Sequence, residues 1–164
     1  MKKSLIVAFV HLIIVLSLGG KLLYDRHYRP RVWIRAASFD PSLPIRGRYA
    51  ALNARVRAPW MQDSPLYQVD TVVLSVGKDE LVAQRSDTDT GVTVTRPPGS
   101  RLPAGYGTLQ EPLLFFLPEH VRDPSWVERG QELWVEVTLP RKGPPRPIQL
   151  AVKDEGGWHP LTIR

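Results

Sequence analysis

From residue 31 onward, apolar side chains recur at every second position in short runs, and Gly or Pro interrupts the runs every several residues. A period of two sends successive side chains to opposite faces, the pattern of β-strands with one packed face and one wet face. It predicts strands over 31–37, 49–56, 67–76, 80–85, 91–95, 113–117, 132–139, 148–153 and 158–163. In 132–139, Leu133, Val135, Val137 and Leu139 fall on one face and Glu132, Trp134, Glu136 and Thr138 on the other. Trp134 is read as cover for a neighbouring loop more readily than as an exposed platform. Several breaks carry their own turn chemistry: Gly77-Lys78-Asp79 suits a tight hairpin, and Asp154-Glu155-Gly156-Gly157 tolerates positive φ. One helical turn is expected over 123–130, with Asp123 as N-cap, Pro124 at the first helical position and Gly130 as terminator. The run 140–147 lacks amide donors at its four prolines and reads as a loop. Short connections favour antiparallel pairing. The fold class is therefore all-β, a small antiparallel barrel or a two-sheet sandwich spanning 31–164.

The first residues follow another pattern. Residues 5–18 are an unbroken apolar run after Lys2-Lys3, which is either a cleaved signal peptide or a signal anchor. Extended to Tyr24, with Lys21 snorkelling its ammonium outward, the segment has the roughly 20 residues that a bilayer core requires. It is read as an uncleaved anchor over 1–24 that contacts the lipid bilayer through 5–24, followed by a juxtamembrane linker over 25–30. Tyr24, Tyr28 and Trp33 stand where an aromatic belt is expected. The short basic tail before an apolar run favours export, whereas Lys21, Arg26, Arg29, Arg31 and Arg35 favour a cytoplasmic domain by the positive-inside rule. The export signal is preferred, which places the soluble domain in the periplasm on a single-pass inner-membrane anchor. His11 lies inside the apolar run. It is either a neutral imidazole satisfied in its own helix or a contact with another membrane helix.

Charge changes the picture little. The formal net charge is +6, but Lys2, Lys3 and Lys21 lie in the leader, which holds no acid, so the remaining chain from residue 25 on carries only +3. Its bases and acids are interspersed, without the concentrated stripe that neutralises phosphates, and no nucleic-acid partner is expected. No Cys is present, which excludes thiol chemistry and disulfides.

Candidate chemistry is sparse. Asp89-Thr90-Gly91 has the tripeptide of an aspartic protease, but the polar Arg85-Ser86-Asp87-Thr88 precedes it where an apolar strand is needed. Read as a calcium loop, the stretch from Asp87 places Pro98 where a bidentate Glu is required. A polar hairpin loop accounts for it better. The four histidines are dispersed without metal-ligand spacing, so neither a metal site nor a cofactor is expected. Carboxylates for glycoside hydrolysis could be drawn from Asp70, Glu111, Glu119 and Glu128, with the separation left open.

The most individual stretch runs from Asp40-Pro41 through Arg46-Gly47-Arg48-Tyr49 to Leu52. Asp-Pro opens a turn and Gly47 lets the backbone bend before a strand. An Asp40–Arg46 carboxylate–guanidinium pair is expected to close the loop. This stretch resembles the GDYXXLXY domain family, membrane-anchored bacterial proteins with an R-D-P-x-x-x-x-R-G-D-Y-x-x-L-x-Y pattern after one transmembrane helix. Asp40, Pro41, Arg46, Gly47, Tyr49 and Leu52 match in order, while Arg48 replaces the motif Asp and Ala54 the closing Tyr. More loosely, Phe115-Phe116-Leu117-Pro118-Glu119 is similar to an aromatic-x-x-Pro-Glu segment, and Glu128 stands where a second Glu is usual. The resemblance implies an exported, anchored β-domain with a multi-pass membrane protein as partner, and implies no reaction.

Two functions remain as expectations. One is a non-enzymatic envelope domain that binds or supports a membrane-protein partner, with Asp40, Arg46, Gly47, Tyr49, Leu52, Glu119, Glu128 and His11 as candidate interaction residues. The other is a glycan-binding or hydrolytic domain acting on envelope polysaccharide.

Overall fold

The computed structural model describes residues 2–39, 49–62, 68–97, 102–118 and 127–161. Two compact units divide the chain, 1–30 and 31–164.

The first unit is one helix, α1 (Lys2–Tyr28), which contains a 19-residue stretch, Ile6–Tyr24, long and apolar enough to cross a membrane. At about 1.5 Å per residue that stretch rises about 28 Å, close to a hydrocarbon core. The helix runs through Tyr28, so most of the expected linker over 25–30 is helical. No Pro or Gly falls between Lys21 and Arg29 to end it. The Tyr24 and Tyr28 rings, one turn apart, stack with centroids 4.7 Å apart.

The second unit is all-β, with ten strands and one 3₁₀ turn (Pro59–Gln62) among the described residues. The strands are β1 (Arg31–Ser38), β2 (Tyr49–Arg57), β3 (Val69–Val76), β4 (Leu81–Arg85), β5 (Thr93–Thr95), β6 (Tyr106–Leu109), β7 (Leu113–Phe116), β8 (Glu132–Thr138), β9 (Arg146–Asp154) and β10 (Gly157–Pro160). Five of them close a circuit, β2–β4–β3–β5–β6 and back to β2. The remainder extend as a sheet in the order β10–β9–β8–β1–β2, with β7 on the other side of β2.

β2 belongs to both parts. Its first half pairs with β1 and β7, and its last three residues, Arg55 to Arg57, pair with β6. Arg57 also meets Val82 of β4 in the one parallel pairing of the described strands, where antiparallel pairing is the sequence expectation. A closed circuit of five strands must contain such a seam, because alternating directions cannot close an odd ring.

Alternation builds the core as expected: Val32, Ile34 and Ala36 of β1, Leu52, Ala54 and Val56 of β2 and Leu133, Val135 and Val137 of β8 are all buried. Inside the barrel Gly107 is dictated by space. A Cβ there would meet Met61 Sδ and Val94 Cγ1, each at 2.7 Å.

Both predicted hairpins form. Gly77 N–H donates to the Glu80 carbonyl at 2.8 Å with Asp79 at φ 68°, and Gly156 N–H donates to Asp154 Oδ1 at 2.8 Å with Gly157 at φ 126°. Two local expectations are corrected. The proline run ends earlier than 147, because Arg146 and Pro147 already belong to β9, where Pro147 sits at a bulge opposite Val137 and needs no ladder donor. Of the segment 123–130, residues 123–126 lie outside the described residues, and its described end is a turn rather than helix: Gln131 N–H donates to the Glu128 carbonyl, and the Gln131 side chain accepts from Glu128 N–H.

Candidate functional site

The outward row of β2 is Tyr49, Ala51, Asn53, Arg55 and Arg57, and two different surfaces lie along it.

The first is apolar. Tyr49 pairs with Phe116 and Ala51 with Leu114 across the β2–β7 ladder, and Phe39 N–H donates to the Ala51 carbonyl at 2.9 Å. These pairings bring Phe39 (47% exposed), Tyr49 (53%), Leu114 (57%) and Phe116 (51%) together on one face. The Tyr49 and Phe116 rings meet edge to face, centroids 5.7 Å apart. β7 has no second ladder partner among the described residues, so this apolar face borders a strand edge.

The second surface is charged. A hollow of about 190 Å³ is lined by Arg35, Arg55, Arg57, Glu80, Tyr106 and Glu132, with Trp33 and Trp134 at one side. Arg35 Nη1 lies 3.0 Å from Glu132 Oε1, and Arg57 Nη1 donates to Glu80 Oε1 at 2.7 Å. That Glu80 hydrogen bond and its charge hold the Arg57 guanidinium above its ordinary pKa. Tyr106 O–H donates to Glu80 Oε2 at 3.0 Å, and the Arg55 guanidinium carbon lies 3.9 Å from the centroid of the Tyr106 ring. Trp158 packs on both tryptophans of the hollow, meeting Trp33 edge-on at 5.0 Å and Trp134 at 5.4 Å. Trp33, read from sequence as a belt residue, thus packs within the β-domain. Trp134 Nε1–H donates to Glu132 Oε2 at 3.3 Å, and Lys153 Nζ stands 5.9 Å from its ring. Trp134 is half-buried in this cluster, where it packs against Trp158 of β10 rather than covering a loop.

A third polar centre lies on the barrel. Asp70 accepts from Trp60 Nε1 at 2.8 Å, Gln68 Nε2 at 2.9 Å and Arg85 Nη2 at 3.3 Å. Burial pushes its carboxyl pKa up, but these hydrogen bonds and the Arg85 charge outweigh burial and hold it below the ordinary value. A carboxylate kept anionic in this way is a poor general acid.

The predicted site residues do not converge. Leu52 is fully buried between β1 and β7 and belongs to the core, so it offers no surface to a partner. Tyr49 is exposed in the apolar patch. Glu128 is exposed in the turn before β8. His11 donates from Nδ1 to the Val7 carbonyl at 2.9 Å, one turn back in its own helix. Asp40, Arg46, Gly47 and Glu119 lie outside the described residues. Asp89 accepts from Gly91 N–H at 2.9 Å, as a hairpin loop requires. Among the described residues no three His, Cys, Asp or Glu side chains are grouped to hold a metal ion.

Sequence reasoning missed Arg55, Tyr106, Phe39 and Leu114. The alternation Arg55–Arg57 and Tyr106–Thr108 was the available signal, but only the β2–β6 register unites the two pairs. Compared with protein families, with curated proteins and with solved structures, the chain matches none.

Proposed function

We propose that this chain is a membrane-anchored, non-enzymatic binding domain of the bacterial envelope, exposed to the periplasm, whose β2–β7 face receives a membrane-protein partner. The observation that carries the reading is the patch of Phe39, Tyr49, Leu114 and Phe116 beside the edge of β7, which has no second ladder partner among the described residues. Contiguous exposed apolar surface next to open backbone donors and acceptors favours association over solvation. Helix α1 supports anchoring, and the resemblance of the 40–52 stretch to GDYXXLXY proteins supports the envelope setting. Acid–base chemistry is disfavoured at Asp70, whose hydrogen bonds and Arg85 neighbour hold it below the ordinary carboxylate range, while Glu80 and Glu132 are engaged in ion pairs with Arg57 and Arg35. Affinity capture of the full-length protein from detergent-solubilised membranes tests the reading. A specific membrane protein should be retained by the parent and lost from a Tyr49→Ser, Leu114→Ser double variant.

A second reading, an envelope glycan as ligand, is favoured by the Trp33–Trp134–Trp158 cluster beside Glu132 and Arg35. Sugars stack on such surfaces while carboxylates accept their hydroxyls. Tryptophan fluorescence during titration with cell-wall fragments separates the two readings.

A further inference from the structure

Between the apolar patch and the charged hollow lies a slot of about 350 Å³, at the small end of ligand-sized cavities. Its floor and walls are apolar at Ala37, Pro97 and Leu102 and neutral-polar at Asn53 and Thr108, and its charged lining among the described residues is Arg35 and Arg55. Ala36 pairs with Ala54, which brings Arg35 and Arg55, each one residue on, to the same point of the outward face. Two like charges at one point of a sheet oppose each other. Arg35 is offset by Glu132 at 3.0 Å. Among the described residues no carboxylate pairs with Arg55, and its Nε is buried without a hydrogen-bond partner.

A buried guanidinium donor left unmade is destabilising and calls for a reason. The Tyr106 ring supplies part of one, since stacking fixes the plane of the guanidinium and leaves its donors at the ring's edge. An acceptor arriving in that plane would meet the Nη donors of a preorganised guanidinium and offset the second positive charge. We propose that this slot binds a small amphipathic anion: a carboxylate or phosphate group against Arg55 and Arg35, with a short apolar body on Ala37, Pro97 and Leu102. The same headgroup chemistry is available from a free small acid and from an anionic lipid.

The experiment uses the full-length protein in neutral detergent, titrated calorimetrically with hexanoate and hexyl phosphate, with hexan-1-ol and hexylammonium as controls. Either anion, or both, should bind saturably, more weakly at high salt, and neither control should bind comparably. Arg55→Gln should lose about tenfold or more in affinity, the factor that corresponds to a charged hydrogen bond. Because that change also removes the stack on Tyr106, a second variant, Ala37→Trp, fills the slot from an exposed position while keeping Arg55, and it should abolish binding with an unchanged melting temperature. Repeating the titration in nanodiscs of neutral and of anionic lipid distinguishes the sources: competition by anionic lipid assigns the headgroup, and its absence assigns a free acid. Equal binding of hexan-1-ol and hexanoate, or undiminished binding by both variants, would overturn the proposal.

Discussion

The guanidinium of Arg55 lies over the ring of Tyr106, with Cζ 3.9 Å from the centroid, and the hydroxyl of that ring donates to Glu80, which also accepts from Arg57. This chain of contacts joins β2, β6 and the β3–β4 hairpin across the parallel seam where the barrel closes. Tyr106→Phe keeps the stack and loses the hydrogen bond, so it should cost about 1 kcal/mol. Tyr106→Leu loses both and should cost about 2 to 3 kcal/mol. Denaturant midpoints of the two variants check the order. Equal losses would mean that the ring face contributes nothing.

Asp70 sets an acid limit on stability. Its folded pKa lies below the ordinary carboxylate value, so the folded state binds its proton less readily than the unfolded state. The stabilisation is complete above the unfolded pKa, near 4, and is lost as pH falls through the folded value. Asp70→Asn should therefore be less stable than the parent at pH 7, and the gap should narrow as pH drops below about 4. Urea unfolding at several pH values measures it, and a gap independent of pH would contradict this role.

Gly107 tests barrel closure. A methyl group there runs into Met61 Sδ, Val94 Cγ1 and the Thr95 carbonyl, and backbone cannot yield as a side-chain end can. Gly107→Ala should destabilise by about 1 to 3 kcal/mol, in the range of overpacked cores. Met61→Ala alone should cost about 2 to 5 kcal/mol through the cavity it leaves, and the combined Gly107→Ala, Met61→Ala variant should lose less than the sum of the two, because one of the three obstacles is removed.

The leader should remain attached. Ile6–Tyr24 has spanning length, so intact-mass analysis of membrane-extracted protein should include residues 1–24. A mass beginning at Gly20 would show cleavage. A phosphatase reporter fused after Arg164 should be active, as export of the domain requires, and activity of a cytosolic reporter at the same point would show that the arginines after the helix had set the topology.

Much of the fold was legible because burial follows a period of two. In β8 the residues that sequence assigns to the core, Leu133, Val135 and Val137, are buried, though Thr138 from the wet face is buried too, and β1 and β2 show the same alternation. β6 escaped, since Pro103 and Gly105 precede it and Gly107 lies within it, residues that read as turn formers, although Gly107 is there for space rather than for a turn. The closed circuit was not legible either: it depends on β2 meeting β6 and β4 through its last three residues, which no local pattern marks. The candidate surfaces fared worse for the same reason. Tyr49 stood out beside Gly47, but Phe116, 67 positions away, joins it only through the register of β7. Leu52, equally prominent in the motif, points to the opposite side of the same strand and is core.

The central claim is that the β2–β7 face receives a membrane-protein partner, and site-specific photo-crosslinking in intact cells tests it most directly. A photoreactive phenylalanine analogue at Leu114, in the patch, should give one discrete adduct with a membrane protein. The same analogue at Val73, exposed on the barrel, should not, and Tyr49→Ser should remove the Leu114 adduct. Adducts from both positions alike, or none from Leu114, would contradict the account.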